Sequence, residues 1–161
     1  MADNSSALAE FKHGIQLLRD GSPVQAYEHF QHAAELEEQN PYYRSFLGVS
    51  LSRGQQNWAA AAALCETAVS MKRGEAQLYL NLAEVYVSAG RSKDAVTVLD
   101  KGLIYCIDDP RIKRARGNLG RRRSSVLPFL ERGHFLNRSL GKLRHCILGR
   151  PKATGSNRIP V

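Results

Sequence analysis

Few side chains in this 161-residue sequence have the type and spacing to do chemistry. His29 and His32 lie one helical turn apart beside Glu28, a grouping that could begin a metal site. A third ligand and the HExxH arrangement are missing, so the pair reads as a solvated helix face, and no metal or other cofactor is expected. Cys65, Cys106 and Cys146 are odd in number, widely spaced and not in CxxC pairs, which argues against zinc and against a disulfide framework. Cys65 and Cys106 fall on apolar stripes and read as core. No GxxxxGK[ST], GxSxG or GxGxxG occurs. The expectation is a protein that is not an enzyme. Arg121, Arg122 and Arg123 precede Ser124 and Ser125 as a basic modification motif, but so short a match carries little.

The chemistry that remains is electrostatic, and it is unevenly distributed. The formal charge is +8, yet residues 1–109 hold 9 Lys/Arg against 14 Asp/Glu, net −5, while residues 110–161 hold 14 against 1, net +13. Such asymmetry describes an acidic body with a basic extension. Arg111, Arg114, Arg121, Arg122 and Arg123 are the candidate anion-binding residues. At 43 % hydrophobic the chain can bury a core. The first nine residues lack the basic start and apolar run of a secretory signal. The longest apolar stretch, Trp58 to Cys65, is far short of the roughly 20 residues of a membrane span. A reducing, cytoplasmic setting is expected.

The elements that must position these groups repeat. Ala26, Phe30 and Ala33 fall against Ala61, Cys65 and Ala68 at an offset of 35, and these against Ala95, Leu99 and Gly102 at 34. Independently, Gly14, Gly48 and Ala83 recur at 34 and 35. Helix punctuation follows the same period. Ser22 before Pro23 with Gln25 three residues on, Asn57, and Ser92 read as caps, and Asn40–Pro41 and Asp109–Pro110 as cap plus proline. Gly21, Gly54 and Gly90 end the first helix of each pair. No segment alternates as a strand does. The predicted fold is all-α, a helix–turn–helix solenoid.

The small–aromatic–small pattern Ala26/Phe30/Ala33, the Leu47–Gly48 step and the period of 34 resemble tetratricopeptide repeats, in three units, 7–40, 41–75 and 76–109. His13 stands where a leucine is usual, Arg44 where a large apolar residue is usual, and Cys65 replaces an aromatic. The resemblance implies a protein-binding groove lined by the first helix of each pair, with Phe11, Ile15, Leu18, Tyr42, Val49, Gln77, Asn81 and Glu84 as candidate partner-binding residues. Family members that grip the acidic C-terminus of heat-shock chaperones use lysines, asparagines and an arginine on this surface. The corresponding places here are Phe11, Ile15, Phe46, Gln77 and Asn81, none of them cationic, so that clamp is absent. The groove is apolar at its N-terminal end, suited to an amphipathic helix or an extended apolar segment.

Three domains are expected: a repeat domain over 1–109, a basic cap with an amphipathic helix over 110–148, and a disordered tail over 149–161. A short helix is predicted from 110 to about 117, ending near Arg116 and Gly117. Beyond it, Leu136, Leu140, Leu143 and Ile147 form a stripe at spacings of 4, 3 and 4. About eleven residues of helix do not persist alone in water, so residues 120–147 are expected to dock on the open end of the third hairpin. The function read from the sequence is a non-catalytic scaffold that binds a protein partner. The alternative is nucleic-acid or anionic-membrane binding through the basic extension.

Overall fold

A computed structural model describes residues 2–120 as seven helices, α1 (Ala2–Arg19), α2 (Pro23–Leu36), α3 (Pro41–Gln55), α4 (Trp58–Met71), α5 (Ala76–Ser88), α6 (Ser92–Tyr105) and α7 (Pro110–Gly120). No strand occurs among the described residues. The chain divides into two units, Met1–Arg121 and Arg122–Val161, and the described residues all belong to the first. The expectations for Arg121, Arg122 and Arg123, for the docked cap, for the Leu136–Ile147 stripe and for the final tail concern residues outside those described.

The helix boundaries follow local chemistry, with instructive exceptions. Asn40 Oδ1 accepts from the Tyr42 N–H at 3.1 Å, and Asn57 Oδ1 from the Ala60 N–H at 3.3 Å. Asp109 Oδ1 accepts from the Arg111 N–H at 2.8 Å. Each satisfies an amide that has no partner within its helix. Ser22 does not cap α2 through its side chain. Its N–H instead bonds to Leu17 O at 2.9 Å, and Gly21, at φ +79°, bonds to Leu18 O, so the pair closes α1 in a Schellman turn. Gly90 at φ +75° closes α5 in the same way, with Arg91 bonding to Tyr86 O at 2.8 Å. Ser92 lies inside α6, whose cap position is Arg91.

Gly54 does not end α3. The helix runs to Gln55, and the left-handed residue is Gln56 at φ 54°. A Cβ on Gly54 would lie 3.2 Å from Val24 Cγ2 and 3.3 Å from the Val24 backbone nitrogen, so this glycine is explained by the close approach of the start of α2.

The repeating small residues sit where helices cross. A Cβ on Gly48 would lie 2.7 Å from Cys65 Sγ and 2.8 Å from Ala61 O, and one on Gly102 would lie 2.9 Å from Tyr79 Cγ. The cysteine that replaces an aromatic is therefore matched to Gly48 on the facing helix. One core extends from Val49 through Leu78, Tyr79, Leu82 and Leu99 to Ile112. A separate small cluster joins Ala7, Ala33 and Tyr43. The last helix runs three residues beyond the expected end. Ile112 is fully buried, and Ala115 and Leu119 pack on the same core. Apolar residues spaced at 3 and 4 give α7 one buried stripe, which continues through Gly117.

Candidate functional site

Odd-numbered helices lie side by side, α3 with α5 and α5 with α7, whereas no comparable contact joins the even-numbered ones. Helices α3, α5 and α7 thus form one layer, and α1 reaches α3 through the Phe11 ring, which meets Tyr43 and Phe46; these odd helices carry the residues singled out from the sequence. Along α1, Phe11, Ile15 and Leu18 fall on one stripe and are half-buried. Phe11 is wedged among three rings, with centroids 5.6 Å from Phe30, 4.9 Å from Tyr43 and 5.3 Å from Phe46. Its packing thus joins the first hairpin to the second. Leu8, one turn earlier on the same stripe, is 44 % exposed. Sequence reasoning passed over it, although its spacing from Phe11 and Ile15 was the signal.

On α3 and α5 the same layer is polar and internally connected. The Tyr42 hydroxyl donates to Glu75 Oε2. Burial and that bond push the phenol up to about 12, so it stays a donor. Lys72 Nζ lies 2.7 Å from Glu75 Oε1 and 5.7 Å above the Tyr42 ring. The lysine, then the tyrosine, hold Glu75 below the usual carboxylate range. Asn81 is buried, donates to Ser45 Oγ at 3.0 Å and accepts from Gln77 Nε2 at 2.8 Å. Arg53 Nε lies 2.6 Å from Glu84 Oε1, joining α3 to α5.

Two placements correct the expected surface. Val49 is buried in the main core and has no surface to offer a partner. Asn81 is satisfied within the protein, because a buried amide must find its hydrogen bonds locally. Gln77 and Glu84 remain half-exposed and Tyr42 partly so. The Arg53–Glu84 and Tyr42–Glu75 contacts, whose partners are 31 and 33 residues apart, leave no local signal in the sequence.

The histidines are not the plain solvated face expected. His29 Nδ1 lies 2.6 Å from Glu10 Oε2, and His32 Nδ1 lies 3.5 Å from Glu10 Oε1. The His13 ring, at the position where a leucine is usual, sits 4.1 Å from the His29 ring. The hydrogen bond with His29 is the main cause holding the Glu10 carboxyl below its ordinary value. Among the described residues, no group of three or more His, Cys, Asp or Glu side chains is placed to hold a metal ion. The Cys65 thiol lies 3.4 Å from Ser45 O, and burial pushes it up to about 12, which suits packing and not nucleophilic attack.

Of the anion-binding candidates that can be placed, Arg111 is committed to Asp109 at 2.9 Å. Its neighbours Lys113 and Arg116 lie 2.5 Å from Asp108 and 2.7 Å from Asp100. Arg114 is exposed. Among the described residues, no helix is long and apolar enough to cross a membrane.

The tetratricopeptide-repeat family matches residues 52–119. No curated protein matches the chain. Solved structures share the architecture at low identity. The TPR domain of Arabidopsis OM64 is 16 % identical with a TM-score of 0.61, over 73 % of this chain and 96 % of that one. The second TPR domain of human RPAP3, in complex with the HSP70 peptide SGPTIEEVD, is 12 % identical with a TM-score of 0.61, over 74 % and 99 %. The Thermobaculum terrenum O-GlcNAc transferase is 23 % identical with a TM-score of 0.64, over 74 % of this chain but 23 % of that protein. The family match covers the second half of the helical array, and the shared all-α tetratricopeptide-repeat fold covers the whole of it.

Proposed function

We propose that the chain is a non-catalytic interaction scaffold whose odd-helix layer receives an apolar or amphipathic segment of a partner protein. The observation that carries this reading is the stripe Leu8, Phe11, Ile15 and Leu18 on α1, half-buried or exposed along its length. Such a stripe offers i, i+3 and i+7 anchors to a helix or an extended segment. Several similar structures are complexes with chaperone peptides, of HSP90 or HSP70. This chain has no cation at Phe11, Ile15, Phe46, Gln77 or Asn81, where a resembling clamp would need charge. Its partner is therefore an apolar segment and not an acidic C-terminus. The alternative, anion binding along α7, gains nothing from that helix, where three of four cations are offset by carboxylates.

Two measurements on the full chain test this. The peptide SGPTIEEVD should show no saturable binding at concentrations that fill the RPAP3 domain; tight binding would overturn the assignment. Leu8→Glu with Ile15→Glu should weaken capture of the natural partner by at least about tenfold while the fold is retained by circular dichroism. Unchanged affinity in that variant would remove the α1 stripe from the site.

A further inference from the structure

We propose that the last residues of α6 and the start of the turn to α7, Ile104–Ile107, dip into the surface of an anionic lipid bilayer, a contact separate from the odd-helix layer and independent of what binds there. Ile104 is 72 % exposed and Ile107 82 % exposed, the two most exposed large apolar side chains among the described residues. Most exposed apolar residues need no explanation singly, but here two fall within four positions, with Tyr105 half-exposed between them.

The turn holds them out by its own bonding. The Cys106 N–H closes α6 on Gly102 O at 2.8 Å, the Asp109 N–H bonds to Cys106 O at 3.2 Å, and Asp108 takes a left-handed φ of 61°. Below the tip, the Tyr105 ring stacks on buried Tyr79 at 6.5 Å with planes 13° apart. The Arg73 guanidinium lies 5.8 Å from the Tyr105 ring centre. The isoleucines are thus presented on a fixed base, and the tyrosine has the amphipathic character that favours the headgroup level of a membrane.

Charge selects the partner. Around the turn the cations are Arg73, against the Tyr105 ring, with Lys101, Arg111, Lys113 and Arg114, and the acids are Glu75, Asp100, Asp108 and Asp109. Asp109 pairs with Arg111, Asp108 with Lys113, Glu75 with Lys72 and Asp100 with Arg116, so among the described residues Arg73, Lys101 and Arg114 have no ion pair. An apolar tip backed by these three cations matches the layering of an anionic membrane, acyl chains beneath negative headgroups. A protein partner fits less well. The tip offers three side chains, where one partner in a standard interface contributes about 800 Å² from about 20–30 residues. A bilayer demands no such area and no shape match.

Because residues 121–161 are themselves basic, the test must read the tip and not total binding. In the full chain, Ile107→Trp in a Trp58→Phe background places the single tryptophan at the turn. Its fluorescence should be quenched by brominated acyl chains in phosphatidylcholine vesicles containing about 30 % phosphatidylserine, and not in phosphatidylcholine alone. In the otherwise native chain, Ile104→Ser with Ile107→Ser, both at exposed positions, should lower partitioning onto the anionic vesicles about tenfold. Sedimentation with the vesicles without quenching would assign the binding to the basic extension and overturn the proposal. So would equal partitioning of the serine variant, or a concentration-dependent self-association that the same variant abolishes.

Discussion

The two ends of the helical array are finished in different ways. At the N-terminal end, α1 is held to α2 and α3 by aromatic rings, Phe11 with Phe30, Tyr43 and Phe46, and by Glu10 between two histidines. The apolar cluster beneath it is small and separate from the main core. At the C-terminal end, α7 extends the main core through fully buried Ile112 and turns its charged side outward, with each of three cations paired to an aspartate. Any solenoid must cover its last apolar face. Here the C-terminal end is covered by a helix with one apolar stripe, whereas the N-terminal end keeps apolar and aromatic groups partly open. That difference is why the binding proposal rests on α1.

The largest expected effect is at the aromatic junction. Phe30 is fully buried, and Phe30→Ala should cost about 3–5 kcal/mol in denaturant unfolding. Ile112→Ala should fall in the lower part of about 2–5 kcal/mol, because among the described helices α7 packs mainly on α5 and α6. If Ile112→Ala proved the more costly, the C-terminal end and not the aromatic junction would be the dominant hold, and the comparison would reverse.

Between the ends, Gly48→Ala should destabilise by about 1–3 kcal/mol, despite the gain in helix propensity. The added Cβ meets Ala61 O at 2.8 Å, and backbone cannot step aside as a side-chain tip can. A neutral or stabilising result would show that the second hairpin has room to shift.

The smallest effect is electrostatic. Glu10 and Glu75 are both held below their ordinary value of 4.5. Lowered carboxylates stabilise the fold when ionised, so this contribution is fully present above pH 4.5 and is lost as pH falls through the folded values. Glu10→Gln should reduce the acid sensitivity of melting, and a shift of about 2 °C is expected for one part-buried carboxylate. An identical melting-versus-pH curve for Glu10→Gln and the native chain would show that Glu10 contributes nothing to holding α1.

Much of the fold was legible because solenoid repeats are built from contacts close in sequence. The offsets of 34 and 35 located every helix pair, and Asn40, Asn57 and Asp109 capped where a side-chain acceptor followed by three free amides must cap. The misread positions share one cause. Gly54 and Ser22 were interpreted from their own neighbourhoods, but Gly54 answers to Val24, thirty residues away, and the Ser22 amide is taken by α1. The candidate surface was legible in its helical register and less so in its burial. Spacing placed Phe11, Ile15 and Leu18 on one stripe, yet could not tell that Val49 and Asn81 on α3 and α5 are enclosed.

The sequence by itself determined the helical periods, the cap positions and the division of charge between body and extension, since each depends on residue type at short separation. Tertiary structure alone decided which polar groups meet. Glu10 reaches His29 across 19 residues, Arg53 reaches Glu84 across 31 and Tyr42 reaches Glu75 across 33. It also decided that Ile104 and Ile107 stand in solvent while Ile112, five residues on, is wholly buried. Hydrophobicity is equal at all three isoleucines, and only the packing of α7 against α5 and α6 distinguishes the one that is covered from the two that are not.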